Sequence, residues 1–528
     1  MLLFGFLIAS LSYILFFLGV IGIFYKPIIL TVMFFWLFVV LTAFYPKFRH
    51  IPNNRNAKSI LRNPFFYLLL IQIIVNLLGA LGPELAFDSL WYHLTIPKIY
   101  LQFHRVIYIP GNLLYYSAMP KLVEMLFAAG LALGSETFAK LVNFGFGILT
   151  LFVIYKLARR KFSPKISIIA CAIFYSNLLV GWESITAFVD LGRVFFELLA
   201  VFSVLNFYKT KKIRWTFLSG IMIGFAVATK LLAVPSMFIL FICINVVAVK
   251  YFKKIKKIAY ANTLYILSIT IAVFPWLLFA YLNTGNPFFP LFSDLLKGPF
   301  FTFSIINFIK YIWNLFITSN DPVSPIYLIT LPLIPFVMKK LNVESKIILF
   351  YSVGGIILSY FVPYGDAARY TLPYLAGFSI FQLYILDIYK GKLIVRVILG
   401  LIVIFSLLSI FYRAAANAKY IPVVFGIEAK KVFLTKNLNF LFGDFYDIDG
   451  NIKNIVGGEK VLIYGVHNLY YVDFNFIHES WAKKSNKIKY ILVQDGVIPE
   501  KFLNSDVIYE NSLTHVKLYS NNNGEWTY

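Results

Sequence analysis

The sequence predicts an all-α polytopic membrane helix bundle of about thirteen transmembrane helices, closed at its C-terminal end by a small extracytoplasmic α/β domain. Two observations predict the bundle. Of the 528 residues, 60% are hydrophobic and 14% charged, against roughly 25% charged in a soluble domain. Apolar runs such as Leu2 to Tyr25, Ile28 to Tyr45 and Leu393 to Tyr412 approach the ~20 residues that cross a bilayer. A third observation predicts the appended domain: after Tyr412 charges become frequent, and β-type runs appear at Lys460 to Gly465, Ile488 to Gln494 and His515 to Tyr519.

Charge sets the expected topology. The formal net charge is +24, but residues 1–412 hold 35 Lys and Arg against 12 Asp and Glu, while 413–528 hold 13 against 12. The excess therefore lies in the membrane part and reflects orientation, not a nucleic-acid partner. Six basic clusters, at 47–62, 156–165, 209–214, 250–257, 339–346 and 390–396, contain 25 of these cations, and the positive-inside rule puts them in the cytoplasm. Threading helices between them gives spans near 3–24, 28–45, 64–82, 138–157, 166–182, 188–207, 214–229, 231–249, 258–282, 323–338, 345–362, 370–389 and 393–412. The N-terminus is then cytoplasmic and the C-terminus extracytoplasmic in a multi-pass cell-membrane protein. The first run has no basic residue before it and is longer than a signal peptide's apolar stretch, so it is expected to be a retained helix.

Residues 1–412 thus form one transmembrane domain with two long outer loops, 83–137 and 283–322, and 413–528 form the outer domain. The first loop is rich in Trp and Tyr and punctuated by Pro97, Pro110 and Pro120, which suits short amphipathic helices at the lipid interface. The second holds the turn-prone run Asn283 to Pro290. Cys171 and Cys243 lie inside predicted spans, so neither a disulfide framework nor a zinc site is indicated.

Acids gather on the outer face: Glu84, Asp88, Glu124, Glu136, Glu183, Asp190, Asp294, Asp321 and Asp366. Asp88, Glu183 and Asp190 stand at helix ends, where an acid is costly unless it is paired or used. Asp88 suits either a helix N-cap or a site, and Tyr92 would share its face. Asp190, Arg193 and Glu197 fall on one helical face, where an intrahelical ion pair accounts best for Arg193 and Glu197. Lys230 follows Gly220-x-x-x-Gly224 and precedes Pro235; it reads as a snorkelling lysine or as a phosphate counter-charge. Arg369 either pairs with Asp366 or clamps an anionic headgroup. The histidines are scattered, and Asp447-Ile-Asp449 fits a solvated turn better than a metal site.

These motifs, in this order, resemble the GT-C superfamily of membrane glycosyltransferases. The resemblance rests on Asp88 with Tyr92, His93 and Pro97-Lys98, then Asp190, the Gly-x-x-x-Gly before Thr229-Lys230, the Thr284 to Pro287 loop and Arg369-Tyr370. It covers roughly 64–390 and is nearest to the protein O-mannosyltransferase and lipid A aminoarabinose transferase branch. It implies transfer of a sugar from a polyprenyl-phosphate donor to a cell-surface acceptor, glycan, lipid or protein, with inversion. Under it Asp88 and Asp190 are catalytic, Lys230 and Arg369 bind the donor phosphate, and Tyr92, His93, Lys98 and Glu183 bind substrate. Asp88 is followed by Ser rather than a second acid; no cofactor is indicated, and a divalent metal stays possible only through the family. A lipid-linked saccharide flippase or a polysaccharide polymerase or ligase is the alternative. The flippase is disfavoured because repeated halves and midplane charges are missing from the sequence.

Overall fold

A computed structural model describes the chain except residues 50–54, 297–303, 319–322, 363–367, 484–486, 504, 521–525 and 528. Asp321 and Asp366 lie outside the described residues. Among the described residues, nine helices are long and apolar enough to cross a membrane: Leu2–Val20, Lys26–Tyr45, Pro64–Leu81, Glu136–Ala158, Asp190–Thr210, Leu231–Phe252, Ile255–Thr284, Ala368–Ile388 and Leu393–Val424. Shorter apolar helices lie at Leu122–Leu133, Pro164–Tyr175, Arg214–Thr229 and Ile305–Thr318. The chain is a multi-span membrane protein, and its predicted spans are helical, but several fall short of bilayer length for local reasons. The span expected at 166–182 breaks after Tyr175 at Asn177, whose side-chain amide donates to the Ile173 and Phe174 carbonyls and to the Tyr327 hydroxyl. The span expected at 323–338 is divided into Ile326–Thr330, Leu331–Leu333 and Ile334–Val337, with Pro332 and Pro335 at the joints.

The Asp190–Thr210 and Ala368–Ile388 helices form the centre of the bundle, each 89% buried, while Lys26–Tyr45 is 6% buried and faces outward. Elsewhere in the bundle close packing depends on small residues. A Cβ at Gly220 would stand 2.0 Å from Ser268 Oγ and 2.4 Å from the Tyr265 carbonyl oxygen, and one at Gly224 would stand 2.6 Å from Ala272 Cβ. The Gly-x-x-x-Gly pattern is therefore the surface on which Arg214–Thr229 meets Ile255–Thr284. Arg214–Thr229 ends at Lys230, whose extended backbone (φ −155°, ψ 125°) starts a tight turn into Val234–Phe252 with Pro235 in its first turn. That turn fixes where the Lys230 ammonium can reach.

The loop expected at 83–137 packs into the protein over its first helical turns. Ser89–His93, a π-helical turn, and Thr95–Gln102 bury Leu90, Leu94, Ile96, Ile99 and Tyr100 within the protein. The last long helix runs to Asn417, past the expected boundary at 412. Beyond it lie β1 (Val461–Tyr464), β2 (Phe476–His478), β3 (Lys487–Ile488), β4 (Tyr490–Gln494), β5 (Asp506–Asn511), β6 (Val516–Ser520) and β7 (Trp526–Thr527). The main sheet has the order β2-β1-β4-β6-β5. In it β1 is parallel to β2 and β4, while β6 is antiparallel to β4 and β5. The expected β-type runs are β1, β4 and β6; β2 and β5 are shorter or more exposed and lack a clean apolar signature.

Replacing Gly220 with Leu should force the two helices apart, an overpacking cost of about 1–3 kcal/mol. Thermal unfolding in detergent is expected to show a lower midpoint than for Ser219→Ala, a control that adds no volume.

Candidate active site

The acid at position 88 begins the Ser89–His93 turn but does not cap it: its carboxylate makes no hydrogen bond to the turn's backbone. Instead Arg369 Nη2 donates to Asp88 Oδ2 at 2.6 Å, and the Tyr92 hydroxyl stands 3.5 Å from the same oxygen. The capping role expected as one alternative for Asp88 is therefore not taken up, and its carboxylate serves an ion pair. Arg369 belongs to the short turn Ala368–Thr371 that leads into the central Leu372–Ile388 helix. That turn is held from below, since Arg193 Nη1 donates to the Tyr370 carbonyl at 3.1 Å. Arg193 is itself fixed by Glu197 Oε1 at 2.6 Å, and the Ser236 and Tyr351 hydroxyls donate to the other Glu197 oxygen. The intrahelical pair expected of Arg193 and Glu197 thus exists and orients the arginine beside Asp88.

A second pair lies alongside. Lys230 Nζ donates to both Asp190 oxygens, at 2.9 and 2.8 Å, and sits 5.1 Å from the centre of the Tyr370 ring. Arg369 lies 5.3 Å from the same ring and 5.1 Å from that of Phe188, so Tyr370 is the wall shared by both cations. Asp190 is 2% exposed, whereas Lys230, Asp88 and Arg369 are 15–16% exposed; the cations and Asp88 reach an opening that Asp190 does not. The Arg369 Nε atom is buried and has no hydrogen-bond partner among the described residues.

His93 and Tyr92 extend the cluster. His93 Nδ1 stands 3.1 Å from Glu124 Oε1, which also accepts from Lys121 Nζ at 3.4 Å. Burial lowers the His93 imidazole from its ordinary value, an effect that Glu124 opposes. Tyr92 stacks on Tyr116 at 4.0 Å and 9°, and burial raises its phenol well above the usual range. Lys121, Tyr116 and Phe188 were not among the residues the sequence singled out, Tyr370 entered only beside Arg369 in the motif order, and Glu124 was named only as one outer acid. A usable signal existed: Lys121 and Glu124 are an i, i+3 pair at the entrance to an otherwise apolar helix.

Two further selected residues are tied down by main-chain carbonyls. Lys98 donates to the carbonyl of Tyr470 at 2.7 Å and to that of Val472, and burial pulls its ammonium down to about 8. Glu183 is buried in the Leu178–Glu183 turn, and its main-chain carbonyl accepts from Asn143 at 2.7 Å. Lys98 is one of several ties between the Asp88 segment and the C-terminal region. Tyr470 N donates to the Leu90 carbonyl, the Tyr471 hydroxyl donates to the Glu84 carbonyl, and His467 stacks on Phe87 at 4.8 Å. Among the described residues no group of three or more His, Cys, Asp or Glu could hold a metal ion.

The fold is shared with solved membrane enzymes. ArnT from Cupriavidus metallidurans bound to undecaprenyl phosphate matches with a TM-score of 0.60 over 88% of this chain and 98% of that one, at 11% identity. Its apo state matches at 0.58 over 86% and 97%, at 12% identity. The Archaeoglobus fulgidus oligosaccharyltransferase in the apo form is more distant, at 0.46 over 82% and 69%, with 13% identity. The chain therefore has the helical multi-span fold of these proteins. Within it, residues 119–277, which include Lys121, Glu124, Asp190 and Lys230, match the family described as dolichyl-phosphate-mannose-protein mannosyltransferase. No curated protein matches the chain in sequence.

The Asp190 and Lys230 pair is testable without any substrate. Asp190→Ala leaves Lys230 without its counter-charge and should cost about 3–5 kcal/mol. Adding Lys230→Met should recover most of that loss in the unfolding midpoint, and additive losses would show that the two groups are energetically independent.

Proposed function

We propose that this enzyme transfers a glycosyl group from a polyprenyl-phosphate donor to a hydroxyl of a cell-surface acceptor on the extracytoplasmic side, with inversion at the anomeric carbon. The observation that carries the proposal is the convergence of two cations, Lys230 and Arg369, and one accessible carboxylate, Asp88, on the shared wall of Tyr370. A donor phosphate has the charge to exchange for the carboxylates as partner of both cations, and the open Arg369 Nε–H is a further donor for it. The family match to dolichyl-phosphate-dependent enzymes and the undecaprenyl phosphate in the ArnT structure support that donor class.

Exchange of partners would free Asp88 to act as base. The acceptor oxygen attacks the anomeric carbon, its proton passes to the Asp88 carboxylate, and the bond from carbon to phosphate oxygen breaks with its electron pair. Lys230 and Arg369 stabilise the negative charge left on the phosphate. Displacement in one step from the face opposite the phosphate inverts the centre. Asp190 holds Lys230 at the phosphate position, while Tyr92, His93 and Glu124 border the space for the sugar; Lys98 and Glu183 act through the structure around them. Residues 1–412 constitute the catalytic membrane domain in this proposal. The thirteen-span threading puts the N-terminus inside and 413–528 outside, which fits a donor whose lipid stays in the bilayer while its sugar meets water.

Asp88→Asn keeps the size of the side chain and removes the base. Sugar transfer from a labelled polyprenyl-phosphate donor should fall by roughly 100-fold or more, with donor binding and thermal midpoint retained. Arg369→Gln should instead weaken binding of the polyprenyl phosphate itself. Near-normal turnover in a stable Asp88→Asn enzyme would remove the base assignment.

The topology has its own check. A reporter active only in the cytoplasm, fused after Tyr528, should remain silent, and an active fusion would require an even number of crossings.

A further inference from the structure

A concavity lies against the segment that carries Asp88. A cavity of about 370 Å³ opens between the first outer loop and the C-terminal sheet region, lined by Trp91, Asn112, His467, His478, Glu479 and Ser480, with Leu113. Its volume is in the range of ligand pockets, about 300–1,000 Å³. The two rims meet at Gly111, where φ is +90° and a Cβ would stand 1.8 Å from the Ser480 carbonyl oxygen, so no side chain fits between them. The inner wall is the segment that carries Asp88: the His467 ring lies 4.8 Å from that of Phe87 and 4.4 Å from that of Trp91. Asp88 touches Arg369 directly and is near enough to His467 to act on its charge. Asp88 therefore links its pair with Arg369 to the segment that forms the cavity's inner wall, without lining the cavity itself.

The lining chemistry selects a class of ligand. Among the described lining residues there is one carboxylate and no lysine or arginine, which is the wrong composition for a phosphate or an anionic headgroup. Burial lowers both imidazoles, that of His478 to about 4, and the His478 ring is held between Ser480 and the Val466 carbonyl, so both line the cavity as neutral rings. The Trp91 indole N–H is already spent on the Leu113 carbonyl at 2.9 Å, which fixes the ring and leaves it to offer apolar surface. A planar apolar wall among a carboxylate, an amide, a hydroxyl and neutral imidazoles matches a sugar, which has C–H faces and a rim of hydroxyls.

We propose that this cavity is the acceptor site and that it binds a sugar ring of a glycan acceptor, with Glu479 and Asn112 accepting from and donating to its hydroxyls. The proposal rests on the transfer reaction above only for the word acceptor; sugar binding itself is independent of turnover. The full chain in detergent is to be examined by saturation-transfer NMR with free mannose, galactose and N-acetylglucosamine as probes. At least one should receive saturation from the protein. That signal should drop at least fivefold in Glu479→Ala and in Asn112→Trp, which fills the cavity from an exposed position. Both substitutions are at exposed sites, and a thermal midpoint close to that of the parent shows that the loss is local. Absence of a signal with all three sugars, a signal indifferent to both substitutions, or binding of a Ser/Thr peptide where no sugar binds would overturn the proposal. Sugar binding without donor consumption would count against the transfer reaction alone, and donor consumption without sugar binding against the cavity alone.

Discussion

Ionised groups at the edge of a bilayer lose much of their hydration, so each must be neutralised where it stands. That constraint organises the centre of this protein. Asp190 is nearly inaccessible and holds Lys230 through both oxygens, while Asp88 and Arg369 form the parallel pair nearer the opening. Neither pair is a surface salt bridge, and neither cation could be kept in position by packing alone. The cost of desolvation makes each charge dependent on its partner.

Supporting interactions carry this requirement into the bundle. Arg193 joins Glu197 on its own helix to the Tyr370 carbonyl on the turn of Arg369, and Glu197 is satisfied by Ser236 and Tyr351 from two further helices. At the other end, Lys140 caps the Pro64–Leu81 helix by donating to the Gly79, Gly82 and Pro83 carbonyls, and Glu84 accepts from the backbone N–H groups of Leu85, Ala86 and Ala187. These contacts set the direction in which the chain leaves the membrane toward Asp88. Charges that are costly singly thus become a connected frame around the site.

The C-terminal region takes part in the same frame. Glu136, at the start of a membrane helix, accepts from the Tyr470 and Tyr471 hydroxyls at 3.3 and 3.2 Å and pairs with Lys430. With Lys98 on the Tyr470 and Val472 carbonyls, segment 466–472 is fastened to the loop that carries Asp88. That segment follows directly on β1, so the sheet and the loop are joined through it.

Much of this was legible in the sequence because the signals are local or compositional. Apolar length marks the spans, Gly220-x-x-x-Gly224 marks a helix contact, and the alternation near 461, 490 and 516 marks three strands. Asp88, Asp190, Lys230 and Arg369 stood out because a charge in an apolar neighbourhood needs a reason. Their pairing could not be read. Asp190 with Lys230 and Asp88 with Arg369 are separated by 40 and 281 positions, and the local alternatives, a helix cap for Asp88 and snorkelling for Lys230, are as plausible to a sequence as the pairs that form. Lys98 looked like a ligand for substrate and is instead tied to two carbonyls more than 370 positions away. The chain determined which residues would be costly to bury. Only the tertiary structure decided which partner meets that cost, because desolvation acts on neighbours in space and not on neighbours in sequence.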